Sequence, residues 1–337
     1  MFHRPLPRTL PAAIRDAGSA KIAVRRAAVV DLARYAEDNP EDVGAALQKA
    51  LRDSDPLVRT DAAYALGVCG LADALPGLVV AMDDTVLGVR QAAIEALGQI
   101  GDSRAMARLL RALKDDRPDV RFQSLIALMR LSQEDGTEAA LHATIDEDPH
   151  VRYIALRLIE ELFDDEDRPV EVRIELPPEH RDAAVRCLKD ADAAVRTAAA
   201  IVLARAGNEA GAGVIVEVLE DRLAVQAEDE AAAVAMAGAL GLRAAIPALE
   251  RRAFGMTRFV RERYAWNACV SLASMGHDRA KQTILRELGA WTLDRRTLAV
   301  TAAGKAGLRE ARPLIEGMRG DETKADGAAV DRALALL

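Results

Sequence analysis

A short phrase recurs along the chain: an acidic turn, then Val-Arg, then a helix of small residues that closes on Leu and often Gly. Six copies are clear, and their anchor valines are Val24, Val58, Val89, Val120, Val151 and Val195. From Val58 to Val151 the spacing is a constant 31 residues. A fixed period of this length indicates stacked structural repeats, each of which contacts mainly its neighbours.

The register continues where the Val-Arg pair fades. Equivalent anchor positions fall near Ala232, Tyr264 and Arg295, and one more period reaches the terminal helix DGAAVDRALALL. The chain therefore holds about ten candidate repeats. Between anchors lies a second helical segment, as in SRAMARLLRAL, where the apolar residues follow the spacing of one helix face. Each repeat is thus predicted to be a pair of antiparallel helices.

Composition supports an all-α fold, because half of the residues are hydrophobic but only 3% are aromatic. The apolar residues are mostly Ala, Leu and Val, and the first two favour helices. Aspartates beside the second helices are predicted to cap free N–H groups, namely Asp55, Asp116 and Asp148. Prolines suit the first helical turn at positions 56, 118 and 149. Glycines suit helix termination or tight packing at Gly67, Gly98 and Gly241.

This pattern resembles the bacterial HEAT repeats of the phycobilisome-lyase type over nearly the whole chain. The resemblance implies a HEAT/armadillo-like solenoid, an α-α superhelix of about ten helical hairpins with the second helices lining its concave face. It also implies a bacterial source. Such repeats occur in chromophore-lyase subunits, DNA glycosylases, tRNA-modifying enzymes and binding adaptors, so the resemblance indicates a scaffold and not an activity. We predict one solenoid over 1–337, with regular repeats at 9–162, an insertion at 163–180 and less regular repeats at 181–337.

A column of arginines follows the anchor valines, at Arg25, Arg59, Arg90, Arg121, Arg152 and Arg196. One interpretation is a phosphate-binding stripe along the groove. The other is an internal ladder in which each arginine bonds turn aspartates of its own or the neighbouring repeat. Acidic residues stand three to seven positions before five of the six arginines, all but Arg25, which favours the structural ladder.

The concave face is predicted at two, three, six and ten residues after each anchor. Most of these positions are polar, but the fourth and fifth repeats place four apolar side chains there, Phe122, Ile126, Tyr153 and Ile154, with Arg130 and Arg157 beside them. An aromatic and aliphatic surface with arginines at its rim is typical of a partner-binding hot spot. The alternative is that the helical register is rotated by one residue and these side chains belong to the core.

The insertion contains an acidic run and the alternating segment VEVRIEL between prolines. Its period of two predicts an extended strand. We interpret the insertion as an ordered loop packed over adjacent helices, with a partner-contacting edge strand as the alternative.

Farther along, Trp266 and Trp291 lie in the sequence region of Arg258, Arg261 and Arg263. We interpret these arginines as solvated or salt-bridged, with an anion-binding cluster as the alternative.

No catalytic, metal or cofactor motif is present in the sequence. The five histidines lack metal-ligand spacing, and the three cysteines stand singly, which favours a reducing, cytoplasmic location. The net charge of −8 argues against nucleic-acid binding, although a local basic stripe remains an alternative. The amino-terminal segment lacks the apolar core of a signal peptide, and no apolar stretch is long enough to span a membrane.

We therefore predict a non-catalytic scaffold or adaptor that binds a protein partner on its concave face. The alternative is an enzyme subunit of the chromophore-lyase-like class that needs a second chain for activity. The apolar end ALALL could also cap the stack or join two copies as a homodimer.

Overall fold

The computed structural model describes residues 8–163, 176–255 and 262–337. Within these residues the chain is entirely α-helical, with twenty α-helices, several short 3-10 turns and no β-strand. The helices alternate as first and second members of ten pairs. The all-α solenoid predicted from the 31-residue period is confirmed for this part of the chain.

The chain divides into two compact units, Met1–Leu158 and Ile159–Leu337. The first helices of the five pairs that begin in the first unit are α1 (Leu10–Asp16), α3 (Pro40–Ala50), α5 (Leu75–Ala81), α7 (Met106–Ala112) and α9 (Gln133–Ala143). The second helices are α2 (Ile22–Leu32), α4 (Pro56–Val68), α6 (Leu87–Ile100), α8 (Pro118–Leu131) and α10 (Pro149–Glu161). Helix α10 continues past the boundary between the units.

The second unit repeats the arrangement. Its first helices are α11 (Pro178–Cys187), α13 (Ala212–Leu219), α15 (Ile246–Phe254), α17 (Asp278–Glu287) and α19 (Arg312–Glu316). Its second helices are α12 (Ala193–Arg205), α14 (Ala227–Ala239), α16 (Glu262–Ser274), α18 (Leu293–Lys305) and α20 (Gly327–Leu336). Ala, Leu, Val and Ile side chains between the helices form the core.

The anchor valines point into this core. Val58 is fully buried, and so are the residues four and eight positions later, Ala62 and Leu66. These positions recur at helical spacing, so α4 presents a continuous apolar stripe to its neighbours. The exception is Val24 in α2, which is only half-buried.

Aspartate caps and prolines start several second helices. The Asp55 carboxylate accepts the first two free N–H groups of α4, at 2.9 and 3.4 Å, and Asp148 does the same for α10. The expectation for Asp116 is wrong. The residue at the N-cap of α8 is Arg117, which lacks a carboxylate, and Pro118 follows it at the first helical position.

Glycines let neighbouring second helices approach closely. A Cβ added at Gly67 would lie 2.7 Å from Cα of Ala96, and one at Gly98 would lie 3.0 Å from Cα of Ala127. These two glycines are therefore packing residues. Gly241 instead ends the segment after α14 with a φ of +64°, a conformation that glycine adopts without strain.

The predicted insertion is only partly within the described residues. Its acidic run and the strand-like residues up to 175 lie outside them. Leu176 is buried, and α11 begins at Pro178. Helix α11 thus begins within the stretch 163–180 predicted as the insertion, where a proline occupies the first helical position.

Candidate partner-binding surface

The arginine after each anchor lies at the inter-helix turns and is held on two sides. Nε and Nη2 of Arg59 donate to the two carboxylate oxygens of Asp84, at 2.7 and 2.9 Å. Its Nη1 donates to the backbone carbonyl oxygen of Asp53 at 2.9 Å. Asp53 belongs to the turn of the same repeat, and Asp84 to the turn of the next. Arg59 therefore ties its own turn to the following one.

The same geometry recurs along the column. Arg25 holds Asp53 through two bonds of 2.8 Å, and Arg121 holds Asp146 at 2.9 and 2.7 Å. The bond from Nη1 to a carbonyl oxygen of the same turn, 2.7 Å long in each, is also present at Arg152 and Arg196. Because these donors are used inside the stack, they are not presented to a phosphate. The carboxylate partner of Arg25, Arg59 and Arg121 lies in the next repeat, and the arginine's own turn contributes carbonyl oxygens.

One step of this column is irregular. Asp115 stands 25 residues after Arg90, the separation that joins Arg59 to Asp84. However, Nε and Nη2 of Arg117 donate hydrogen bonds of 2.7 and 2.8 Å to the two carboxylate oxygens of Asp115. Arg90 makes one bond of 3.2 Å to Asp119, and its buried Nε has no hydrogen-bond partner. Arg90 is thus a poorly satisfied member of the column.

The ion pairs change the acidity of the turn aspartates. Burial by itself would raise the pKa of Asp84, but the hydrogen bonds from Arg59 and from the backbone N–H of Val86 lower it below its usual range. The hydrogen bonds from the Arg117 side chain are the largest cause that lowers the pKa of Asp115, to about 2. Both carboxylates stay charged well into acid.

Sequence reasoning missed a later member of the column. Nη1 of Arg296 donates to the carbonyl oxygen of Ala290 at 2.8 Å, as Arg59 does to its own turn. Its Nε donates to the carbonyl oxygen of Lys324 at 2.6 Å, so backbone replaces the usual carboxylate. The signal was available, because Arg296 directly follows Arg295, the position that the register assigns to the anchor.

Three rings form a row across the second helices of the fourth and fifth repeats. The ring of Phe122 meets that of His150 edge to face, with centroids 4.6 Å apart and an interplanar angle of 83°. The His150 and Tyr153 rings are nearly parallel, with centroids 6.4 Å apart. The structure thus brings the two predicted aromatics into one row through a histidine that the sequence pattern did not single out.

The six residues of the predicted patch differ in exposure. Arg130 is exposed, whereas Phe122, Ile126, Tyr153, Ile154 and Arg157 are half-buried. The four apolar side chains are thus partly open to solvent, and the binding role predicted for them stays a prediction. The alternative that these side chains belong to the core differs from the structure, since none of the six is buried. We call Phe122, Ile126, Arg130, His150, Tyr153, Ile154 and Arg157 the ring patch.

Several exposed apolar side chains on second helices of the first unit lie outside the ring patch. Val30 is 55% exposed, Tyr64 is 40% exposed and Val68 is 74% exposed. Val30 and Tyr64 occupy predicted concave positions six residues after their anchors, and Val68 occupies the position ten after Val58. They were not predicted to be a binding surface because they are isolated apolar residues among polar ones in the sequence.

The described residues also bear on a metal site, a membrane span and the predicted arginine cluster. Among them, no group of three or more His, Cys, Asp or Glu side chains is placed to hold a metal ion. No helix in the same ranges has the length and apolar character that a membrane span requires. Arg258 and Arg261 lie outside the described residues, and nothing in the described ranges bears on the side chain of Arg263.

The arrangement of helix pairs defines the class of protein as an α-solenoid. A family model described as HEAT repeats matches residues 9–92 and 87–160. Residues 9–160 of the chain are therefore identified as HEAT repeats, and no curated protein matches the chain significantly.

The chain is similar to several solved structures, of which one has a TM-score above 0.5. YibA of Escherichia coli is 18% identical, with 77% of this chain and 92% of that chain covered, at a TM-score of 0.51. The CpcE–CpcF complex of phycocyanin lyase from Nostoc is 21% identical over 74% of this chain and 96% of that chain, at a TM-score of 0.41. Human deoxyhypusine hydroxylase is 23% identical over 80% of this chain and 96% of that chain, at 0.35. At these identities the likeness concerns the fold alone.

Proposed function

We propose that this HEAT-repeat protein is a non-catalytic scaffold or adaptor that binds a protein partner through the ring patch. The observation that carries the proposal is the row of Phe122, His150 and Tyr153 rings, which spans two second helices and remains partly open to solvent. Aliphatic side chains and two arginines adjoin the row in sequence.

A half-buried row of rings suits a partner better than isolated exposed side chains do. Neighbouring helices already restrict the rotamers of Phe122 and Tyr153, so less conformational entropy is lost when a partner covers them. Aromatic and arginine side chains are the types that contribute most to protein interfaces. Arg130, which is exposed, supplies a charge that selects an acidic or polar rim on the partner.

The arginine column supports a protein partner over a nucleic acid. Its guanidinium groups donate to turn carboxylates and carbonyls, so they serve to join repeats in our proposal. The chain as a whole carries a net charge of −8. The proposal includes no cofactor and no turnover. We also propose a reducing, cytoplasmic location, since the three cysteines stand singly and far apart in the sequence.

The test compares partner capture by matched variants. Tagged wild type and the double variant Phe122→Ala with Tyr153→Ala are purified from the native host, and co-purifying chains are quantified by mass spectrometry. We expect loss of a partner from the double variant, with binding then measured using the purified partner. Because both rings are half-buried, truncation costs about 1–2 kcal/mol each, so melting must be checked.

A second variant separates binding from stability. His150→Ala with Arg130→Glu changes two exposed side chains, so it leaves melting unchanged and weakens the same partner. Tyr64→Ala is the matched control on a second helix of the second repeat. If Tyr64→Ala loses the partner and the ring-patch variants keep it, the interface lies elsewhere on the protein. Turnover that appears on mixing with the partner would contradict the non-catalytic proposal, and binding that collapses steeply with salt would favour nucleic acid.

A further inference from the structure

A trough opens in the second unit where two second helices separate. Helices α14 and α16 lie in close contact, and so do α18 and α20, whereas α16 and α18 meet at few residues. In the two close pairs a glycine faces the neighbouring backbone: a Cβ on Gly238 would lie 2.8 Å from Cα of Ser271, and one on Gly304 would lie 2.7 Å from Cα of Ala333. Ala273 stands in α16 nine residues after the anchor position 264, the offset at which the packing glycine Gly304 follows its anchor Arg295.

Two cavities occupy the gap and share a wall. One has a volume of about 820 Å³ and lies among α15, α16, α17 and α18. The other, of about 340 Å³, lies among α14, α16 and α18. Trp266 and Leu298 line both cavities, so the two form one elongated trough that passes the indole ring. Trp266 is two residues after its anchor, the same offset as Phe122 and Tyr153 in the ring patch.

The trough is basic in a chain that is acidic overall. Arg279, Arg286 and Arg295 line the larger cavity, and Lys305 lines the smaller one. The acidic residue among the lining residues is Glu287, whose carboxylate lies 3.8 Å from Arg295. Four positive charges and one negative charge in this space contrast with the net charge of −8 for the whole chain. The local field therefore favours an anionic occupant.

The floor of the trough is apolar and ordered. Trp266 and Phe254 are half-buried, and Leu298 is 46% exposed. The Arg279 guanidinium carbon lies 4.1 Å from the centroid of the Phe254 ring, which orients that arginine at the wall. Cys269 also lines the larger cavity, and burial raises the pKa of its thiol to about 11, so it acts as an apolar surface.

We propose that this trough binds a short acidic peptide segment. A bulky apolar side chain of the segment lies against Trp266 and Leu298, and flanking Asp or Glu side chains pair with Arg279, Arg286 and Arg295. An elongated volume of this size accommodates a few residues of chain, and arginine is the cation best suited to carboxylates. The hydroxyl and amide side chains toward the smaller cavity, including Asn267, suit the polar backbone of a peptide.

The two tryptophans allow a direct measurement. Trp291 is 98% exposed and lies on the turn between α17 and α18, so Trp291→Phe leaves the fold intact and makes Trp266 the single reporter. A library of short random peptides is selected for binding to the full-length protein. We expect enrichment of sequences in which Asp or Glu flanks a bulky apolar residue. An enriched peptide should then shift the fluorescence of Trp266 in a saturable titration.

Charge-neutralised variants provide the decisive comparison. Arg286→Gln with Arg295→Gln should weaken the enriched peptide by about tenfold, because two charge pairs are lost at a partly exposed site. Arg251→Gln with Arg309→Gln removes two exposed arginines outside the trough lining and should leave affinity unchanged within about twofold.

Three results would overturn the proposal: selection without acidic enrichment, equal binding by the Arg286/Arg295 double variant, or binding of inorganic polyphosphate in place of every selected peptide. The proposal stands apart from the ring patch, which lies in the first unit. Phe122→Ala with Tyr153→Ala should leave peptide binding at the trough unchanged, so the two proposals can fail separately.

Discussion

The stability of the arginine column can be tested by comparing its best and worst satisfied members. The Arg121 side chain is 7% exposed and holds Asp146, which is 13% exposed, through two bonds. Arg90 is similarly buried but makes one carboxylate bond and leaves Nε unpaired. Substitution by methionine keeps most of the aliphatic stem in each case and removes the guanidinium.

The expected losses differ because the bonds differ. Removing one partner of a buried ion pair costs about 3–5 kcal/mol. Asp146 keeps a bond from the backbone N–H of Asp148 at 2.9 Å and some solvent contact, so Arg121→Met should cost about 3 kcal/mol. Arg90→Met forfeits one carboxylate bond of 3.2 Å and two Nη1 bonds to the carbonyl oxygens of Asp84 and Thr85, but it also removes an unsatisfied donor, so it should cost about 1 kcal/mol. For a unit of this size, the corresponding falls in Tm are about 6–12 °C and 2–4 °C.

The assay is differential scanning calorimetry of the full-length chain, supported by urea unfolding. If Arg90→Met lowers the free energy of unfolding as much as Arg121→Met does, or more, the reasoning is refuted. The satisfied carboxylate bonds would then not determine how much each arginine stabilises the fold. The double variant Arg121→Met with Asp146→Asn supplies a coupling energy, which should be about 1 kcal/mol or more.

Arg117 provides a further control on the same reasoning. Arg117→Ala releases the Asp115 carboxylate, and Arg90 can then take the bond that the register assigns to it. Arg90→Met should therefore cost more in the Arg117→Ala background than in the wild type. An unchanged cost would show that Arg117 does not displace Arg90.

Three other measurements test packing, acidity and thiol chemistry. Gly67→Ala places a methyl group against α6 and should lower stability by about 1–3 kcal/mol, whereas Gly213→Ala, with open space around it, should be neutral or stabilising in calorimetry. Because the folded-state pKa of Asp115 is about 2 and the ordinary value is 3.8, its stabilisation is present above about pH 4 and is lost as pH falls towards 2. The difference in Tm between wild type and Asp115→Asn should therefore shrink over that range, and a constant difference would contradict the assignment. Cys269, whose pKa is raised to about 11 by burial, should react with iodoacetamide only after unfolding, and rapid labelling of the native protein would contradict its burial.

Local chemistry within each repeat made the fold predictable. The aspartate cap, the first-turn proline and the buried positions at spacings of four recur with the same period, and each acts over one or two helical turns. The valine at the anchor therefore predicted which face of each second helix enters the core. The accessible positions around Phe122 and Tyr153 followed from the same spacing.

Interactions between repeats could not be deduced in this way. Both Arg90 and Arg117 can reach a turn carboxylate, and only their three-dimensional placement decides that Arg117 takes Asp115. The depth of Phe122 depends on how closely α8 and α10 approach, and the His150 ring becomes its neighbour only in the folded stack.

The trough shows most clearly which features follow from the sequence and which depend on the tertiary structure. The sequence by itself determined that Trp266 lies on a second helix, two residues after its anchor, as Phe122 and Tyr153 do. The tertiary structure alone decided that α16 and α18 separate there and that four cations from the two helices α17 and α18 line the gap. Helix formation depends on neighbours in sequence, whereas the distance between helices depends on how side chains from separate repeats fit together.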